Sequence, residues 1–330
     1  MAGCGVIKIN GGTVIRALVL AAAVCCVASA ASAQTDYPTR PIRLVVPFAA
    51  GGGTDALSRV LADAVSRDLG KGIVVENVGG AGGTIGVNQV ARADPDGYTL
   101  LCATPSITIN PYLQKHATYN PIRDFAPVIQ ATVSPAVLVV NKDSPVKSVQ
   151  DVIDLAKARE LQYGTAGMGS FSHISTQLFA TMTNTKMTHI PYRGTNPALI
   201  DLVAGRLQLQ IENAPGILAQ VKDGELKAIA VGTSKKSAIL PDLPTIAETV
   251  PGYEASSWFG ILVPANTPKP IIDKLNASFN KALNDPDIQK KLTELGVERV
   301  GGTPEQFGDY LKAKVKEMQE LAKAANLQPQ

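Results

Sequence analysis

An α/β fold built in two halves is what this sequence predicts. β-branched runs alternate with glycine turns and amphipathic helices from Ile42 onward, the alternation restarts near Pro135, and after residues 258–264 it gives way to helices alone. At 330 residues, 45% hydrophobic and 18% charged, the chain can hold two lobes or one large α/β unit and is too apolar for disorder.

The elements follow in order. Residues 42–47 (IRLVVP) read as a strand, AAGGGTD as a glycine loop capped by Thr54 or Asp55, and Leu57, Val60, Leu61, Ala64, Val65 and Leu69 as one face of a helix. A second strand (73–78), a glycine turn entering a helix (79–91) and a third strand (98–103) come next. Such alternation predicts a parallel sheet with helices on both faces.

The rhythm restarts with a strand at 135–140, a break at Asp143-Ser144-Pro145 and a helix at 149–158. Residues 162–165 lead into GMGSFSH and a helix presenting Phe171, Ile174 and Leu178 on one face. A strand at 186–191 precedes Asn196 as a cap and Pro197 in a first helical turn, with Leu199, Leu202 and Val203 inward. A strand (207–211), a helix (217–222) and a strand (226–233) complete this half. After the apolar strand 258–264 come helices at 270–283, 285–295 and 303–324, the last opened by a Thr303/Gln306 capping box. The tail is expected to pack back on the first half, the chain crossing near 137–142 and 256–262. A plain tandem pair of domains fits the periodicity as well.

The first 33 residues have the form of an export signal: Lys8 and Arg16, the apolar run 17–28, no acid, and Ala31-Ser32-Ala33 as a cleavage site. The run is too short to span a bilayer. Val24 before Cys25 disfavours a lipoprotein. Cleavage after Ala33 removes two cations from a net charge of +3, leaving about +1. With no basic run, nucleic acid is not an expected partner. Cys4, Cys25 and Cys26 lie in the signal, so Cys102 is left as a lone buried thiol. His116, His173 and His189 are the only histidines and lack metal-ligand spacing, so neither a metal nor a cofactor is expected.

Four loops can carry chemistry. Gly51, Gly52 and Gly53 let backbone N–H groups approach an anion at a helix start, and Thr165, Gly167, Gly169, Ser170 and His173 repeat the device in the second half. Either loop alone is as well explained by tight packing; the pair, if they face each other, makes a cleft. Gly80-x-Gly82-x-x-x-Gly86 is a poor dinucleotide fingerprint, because it follows the second strand and no acid is placed for a ribose. Tyr192 and Arg193, at a strand end, offer an apolar wall and a carboxylate partner or merely an exposed turn. Gly169-Ser170-Phe171 lacks the flanking glycines of a nucleophile elbow, Met168 and Ser172 standing in their places.

The strings PFAAGGGTD (47–55), VENVGGAGG (75–83), YGTAGMGSFSH (163–173), PYRG (191–194) and GELKAIAV (224–231) together resemble the Bug family, the extracytoplasmic solute receptors of tripartite tricarboxylate transporters. The resemblance runs from about Tyr37 to the C-terminus. It implies an α/β, two-lobe periplasmic binding protein of the type II, Venus-flytrap kind with two crossing strands, lobe 1 being 36–138 plus 257–330 and lobe 2 being 139–256. It also implies a monomer, a carboxylated solute between the lobes, no enzymatic role, and integral-membrane transporter subunits as partners. Phe48, Gly52, Gly53, Asp55, Thr165, Gly169, Ser170 and His173 match the positions that hold one carboxylate, and Ser106, Tyr192, Arg193 and Asn213 match the distal part. Ala50, Arg193, Gln208 and Glu212 depart from the common pattern, the last two at the far end of the pocket, where an acid at Glu212 disfavours a second ligand carboxylate unless Arg193 offsets it, or suits an amino group. The alternatives are an exported hydrolase using Ser170 and His173, and a solute-sensing module for a signalling partner.

Overall fold

A computed structural model of the chain describes residues 2–3, 36–324 and 329. The export signal and its cleavage site fall almost wholly outside the described residues. The body treated below begins at Arg40.

Its first part is β1 (Ile42–Val46), α1 (Gly53–Leu69), β2 (Ile73–Asn77), α2 (Thr84–Ala91), β3 (Thr99–Ala103) and α3 (Ser106–Leu113). β1 pairs in parallel with β2 and β3, as alternation requires. Leu57, Leu61, Ala64 and Val65 are the buried stripe of α1. Cys102 is a free buried thiol on β3, its pKa pushed up to about 11 by burial.

β4 (Phe125–Asn141) is the strand that sequence reading cut in half. Only residues 135–140 carry the apolar run; Pro127 and Pro135 disguise the rest, since proline cannot donate to a ladder. The register slips between Pro127 and Ile129 and again between Gln130 and Thr132, so the prolines sit in an irregular stretch. From Phe125 to Pro135 β4 pairs with β9 (Ser256–Pro264), and from Ala136 onward with β7 (Leu209–Asn213) and β8 (Leu226–Val231). The change of partner falls where Ala136, Gly232 and Ala255 exchange backbone bonds of 2.8–3.2 Å.

The second part contains α4 (Val149–Ala158), β5 (Leu161–Thr165), α5 (Phe171–Thr183), β6 (Met187–Pro191), α6 (Thr195–Val203) and α7 (Leu218–Lys222). β5 pairs in parallel with β6 and β7. Along β4, Val137 and Val139 point into a core with Leu199, Leu202 and Ile217. Leu138 and Val140 point into another with Tyr163, Phe179 and Ile211. Both faces are thus covered, which is why this stretch reads as continuous hydrophobic sequence.

The strand order is β2-β1-β3-β9-β4-β7-β5-β6, with β8 and β10 (Glu298–Arg299) also on β4. The expected all-parallel sheet is therefore wrong at its centre. β4 and β9 run antiparallel to each other and to their other neighbours, because each arrives as a long return strand and not from a βαβ crossover. α8 (Lys269–Asn284) packs on α1, α9 (Pro286–Glu294) on both, and α10 (Pro304–Ala324) on β4 and α3. Trp258 meets Phe307 edge to face at 5.7 Å. Thr303 and Gln306 form the expected reciprocal cap, at 2.8 and 3.3 Å. Among the described residues, no helix is long and apolar enough to cross a membrane.

Candidate functional site

The first glycine loop leaves β1 at Pro47 and enters α1. The helix begins at Gly53, ahead of both expected caps: Gly52 is the N-cap and brings no side-chain bond. Asp55 instead reaches back, accepting Gly51 N–H at 3.0 Å and Arg59 Nε at 3.1 Å, with a second Arg59 nitrogen 2.9 Å from its other oxygen. Burial raises the pKa of this carboxyl, but Arg59 and the Gly51 amide outweigh it, holding Asp55 below the usual carboxylate range. The loop is thereby fixed, and the N–H groups opening α1 have no partner within the helix.

The second loop joins β5 to α5 through 166–170. Ser170 is its N-cap, with Oγ accepting His173 N–H at 3.4 Å. Ser172 Oγ accepts Ala166 N–H at 3.1 Å, Thr165 Oγ1 accepts Gly167 N–H at 3.1 Å, and His173 Nδ1 accepts Gly169 N–H at 3.2 Å. Thr165 Oγ1 is also 2.6 Å from His189 Nε2. The rings of Tyr163, His189 and His173 stack in series at 5.2 and 4.4 Å. Burial, helped by the adjacent His189 ring, pushes the His173 pKa down to about 4, so it is neutral and its Nδ1 is free to accept. Ser170 Oγ bonds to the His173 amide and lies 3.2 Å from Ser172 Oγ; the His173 Nδ1 is occupied by Gly169. That arrangement does not set the imidazole as a base for Ser170.

The loops meet. An ideal Cβ on Gly53 would fall 2.5 Å from Gly216 N, one on Gly82 1.9 Å from Met168 O, and one on Gly169 1.8 Å from Asn110 Oδ1. Gln114 Nε2 donates to Met168 O at 2.8 Å and Ala49 N–H to Arg193 O at 3.3 Å, tying the β1–β3 side to the β5–β7 side. Between them lies a small cavity lined by Phe48, Thr54, Thr104, Ala166, Ser170, Phe171, Ser172, Thr195, Glu212, Asn213 and Ser257. Its free space, about 10 Å³, is that of one water.

Of the residues picked out by sequence, Phe48, Ser170 and Asn213 line this cavity, and Gly52, Gly53 and Asp55 form the loop along one wall. Thr165, Gly169 and His173 support the loop from behind, and Ser106 bonds to Thr104 at 2.9 Å. Tyr192 and Arg193 line a different space, a groove of about 620 Å³ with Gly82 and Met168. Tyr192 OH donates to Asp201 at 2.5 Å. Gln208 pairs with Gln162 beside β5, its Oε1 accepting Gln162 N–H at 2.7 Å, and is not part of the cavity wall. Glu212 is. Thr195 was missed because Asn196 reads as the cap; in fact Gly194 is, and Thr195 Oγ1 turns inward to donate to Glu212 at 2.9 Å. Ser257 gave no signal in an apolar strand.

Residues 57–327 match the family described as tripartite tricarboxylate transporter family receptor. The protein BugT of Bordetella pertussis is 37% identical over 290 residues, 86% of this chain and 89% of that one. Among solved structures, the periplasmic binding protein BugD superposes with a TM-score of 0.86 at 37% identity, over 89% of this chain and 100% of the other. R. palustris Rpa4515 with adipate gives 0.85 at 40%, over the same shares. With the fold and most of the sequence matched together, the chain belongs to the Bug-type receptors of tripartite tricarboxylate transporters, a family of solute-binding proteins.

Proposed function

We propose that this receptor takes up one small carboxylated solute between two lobes, residues 36–138 plus 257–330 and residues 139–256, acting as a periplasmic monomer and handing its load to the integral-membrane subunits of a transporter. One observation carries the reading: the uncapped start of α1 and the start of α5 converge on a single buried cavity. Helix starts favour an anion through unpaired N–H groups and the helix dipole. The adipate in Rpa4515 supports a carboxylate as the solute class. Opening and closing about the return strands β4 and β9 would admit and enclose it.

The test is mass spectrometry of small acids carried by protein exported into a native periplasm, followed by thermal denaturation against an acid panel. A true solute at one hundred times its Kd stabilises the protein by about 2.7 kcal/mol. Ser170→Ala is expected to weaken that binding, with no turnover of the acid by either protein. A panel that moves no melting temperature, or turnover that Ser170→Ala abolishes, overturns the proposal.

A further inference from the structure

Glu212 and Asn213 end β7 side by side on the cavity wall. The Glu212 carboxyl is only 1% exposed, and its partners are neutral. Thr195 Oγ1 and Gln210 Nε2 donate to Oε2 at 2.9 and 3.3 Å, Asn213 N and Nδ2 donate to Oε1 at 2.9 and 2.6 Å, and the Ser172 hydroxyl also reaches it. Among the described residues no cation pairs with it. A carboxylate offers about four lone-pair positions, and these donors fill them. Burial raises the pKa of this carboxyl against those donors, and with its acceptor positions filled it has no direct contact to offer a solute.

The same bonds set Asn213. With Nδ2 held by Glu212, the amide cannot flip without losing its 2.6 Å bond, so Oδ1 faces the other way. There it is fully buried, on a residue 6% exposed, and has no partner among the described residues. Its position is at the start of α1, 2.8 Å from where a Gly53 Cβ would stand. The Ser257 hydroxyl, on the same cavity and equally buried, also lacks a partner. A buried acceptor without a donor is costly, and one aimed at a binding cavity is relieved when the solute brings the donor.

Building on the carboxylate reading above, we infer that Asn213 selects a solute bearing a hydrogen-bond donor on the carbon next to its carboxylate. The donor must lie close to the carboxylate because Oδ1 and the α1 amides share one corner of the cavity. A 2-amino or 2-hydroxy acid meets that requirement.

The experiment is calorimetric titration with matched triples of 2-amino, 2-hydroxy and unsubstituted acids of three to six carbons. Wild type is expected to bind the best 2-substituted acid at least tenfold more tightly than its unsubstituted parent. Asn213→Leu should bring each triple within threefold. An unsubstituted acid that equals its 2-substituted relatives in wild type overturns the inference even where a variant fails to fold. So does a ranking that survives Asn213→Leu. In both cases some acid binds and the receptor reading stands; if no acid binds in any triple, both fall together.

Discussion

The two glycine loops occupy equivalent places, each carrying a strand end into a helix start, yet they dispose of their backbone amides in opposite ways. The second consumes its own: Ser172, Thr165 and His173 accept the N–H groups of Ala166, Gly167 and Gly169. The first is braced from outside by Asp55 and Arg59, and its N-cap carries no side-chain bond. One loop is a rigid stage; on the proposed reading, the other keeps donors for a ligand. Hydroxyl-rich sequence therefore does not by itself mean ligand contact, since Ser and Thr satisfy local backbone as readily as a solute.

Forcing the second loop away from α3 is the most severe way to disturb this arrangement. Gly169→Ala would add a Cβ 1.8 Å from Asn110 Oδ1 at a φ of +77°, and Asn110 is wholly buried with Nδ2 bonded to Gly82 O at 3.0 Å. Overpacking and a left-handed backbone together cost about 3 kcal/mol or more, equivalent to a loss of ~100-fold in affinity if closure bears it. Gly224→Ala is the control, with a φ of +73° and nothing within 4 Å. It should lower stability by ~1 kcal/mol and leave affinity alone. Calorimetry with any acid that shifts the wild-type melting temperature, together with the radius of gyration from X-ray scattering, reads both. Unchanged affinity in Gly169→Ala would show that the close fit of the second loop against α3 does not set affinity.

Mild acid, above the carboxylate range, attacks the self-satisfied loop. His173 titrates near pH 4 in the fold, because burial and then His189 oppose its charge, against 6.5 for an ordinary imidazole. Above pH 6.5 it is neutral folded or unfolded. Between 6.5 and 4 the unfolded chain takes the proton and the folded chain does not, so stability falls by about 3 kcal/mol across that window. His189, lowered by burial, adds in the same direction. His173→Asn can keep an acceptor for Gly169 without the titration. Urea denaturation at pH 7.5 and 4.5 should show a large loss for wild type and a smaller one for the variant; equal losses would remove His173 from the account.

The outward brace is weaker. Asp55→Asn keeps size but gives up charge on the bonds from Gly51 and Arg59, and should cost about 2 kcal/mol, as for a hydrogen bond to a charged group. Arg59→Ala should cost less, since Arg59 is 54% exposed and water screens it. The two melting temperatures, compared at one pH, order the contributions. If Arg59→Ala proves the more damaging, the Gly51 amide is not the bond that fixes the loop.

How far the sequence disclosed this site follows from the same physics. Glycine spacing and strand-to-helix periodicity are local, so both loops and nearly every flanking element were readable. β4 was half hidden because its first eleven residues interrupt the apolar pattern with two prolines, in a stretch paired with β9. Glu212 drew notice as a departure from the family pattern, but its role depends on Thr195, 17 residues away, and on an amide orientation at Asn213. Neither has a periodicity to read. Tyr192 and Arg193 adjoin a glycine turn just as the cavity residues do, yet the fold sends them to another groove.

Arg193→Ala is where the smallest effect is expected, and it sharpens the contrast between cavity and groove. The guanidinium is exposed and forms no ion pair among the described residues, while the backbone carbonyl that accepts Ala49 N–H survives the substitution. Stability should change by less than about 0.5 kcal/mol. A solute held between the helix starts would feel this charge only through screened, longer-range attraction, so affinity should drop less than ~threefold, and less still near 0.5 M salt where the Debye length is about 4 Å. Titration at low and high salt measures both quantities. A tenfold loss that persists in high salt would mean direct contact with Arg193, which moves the bound acid out to the groove and leaves the open amides of α1 with no anion to hold.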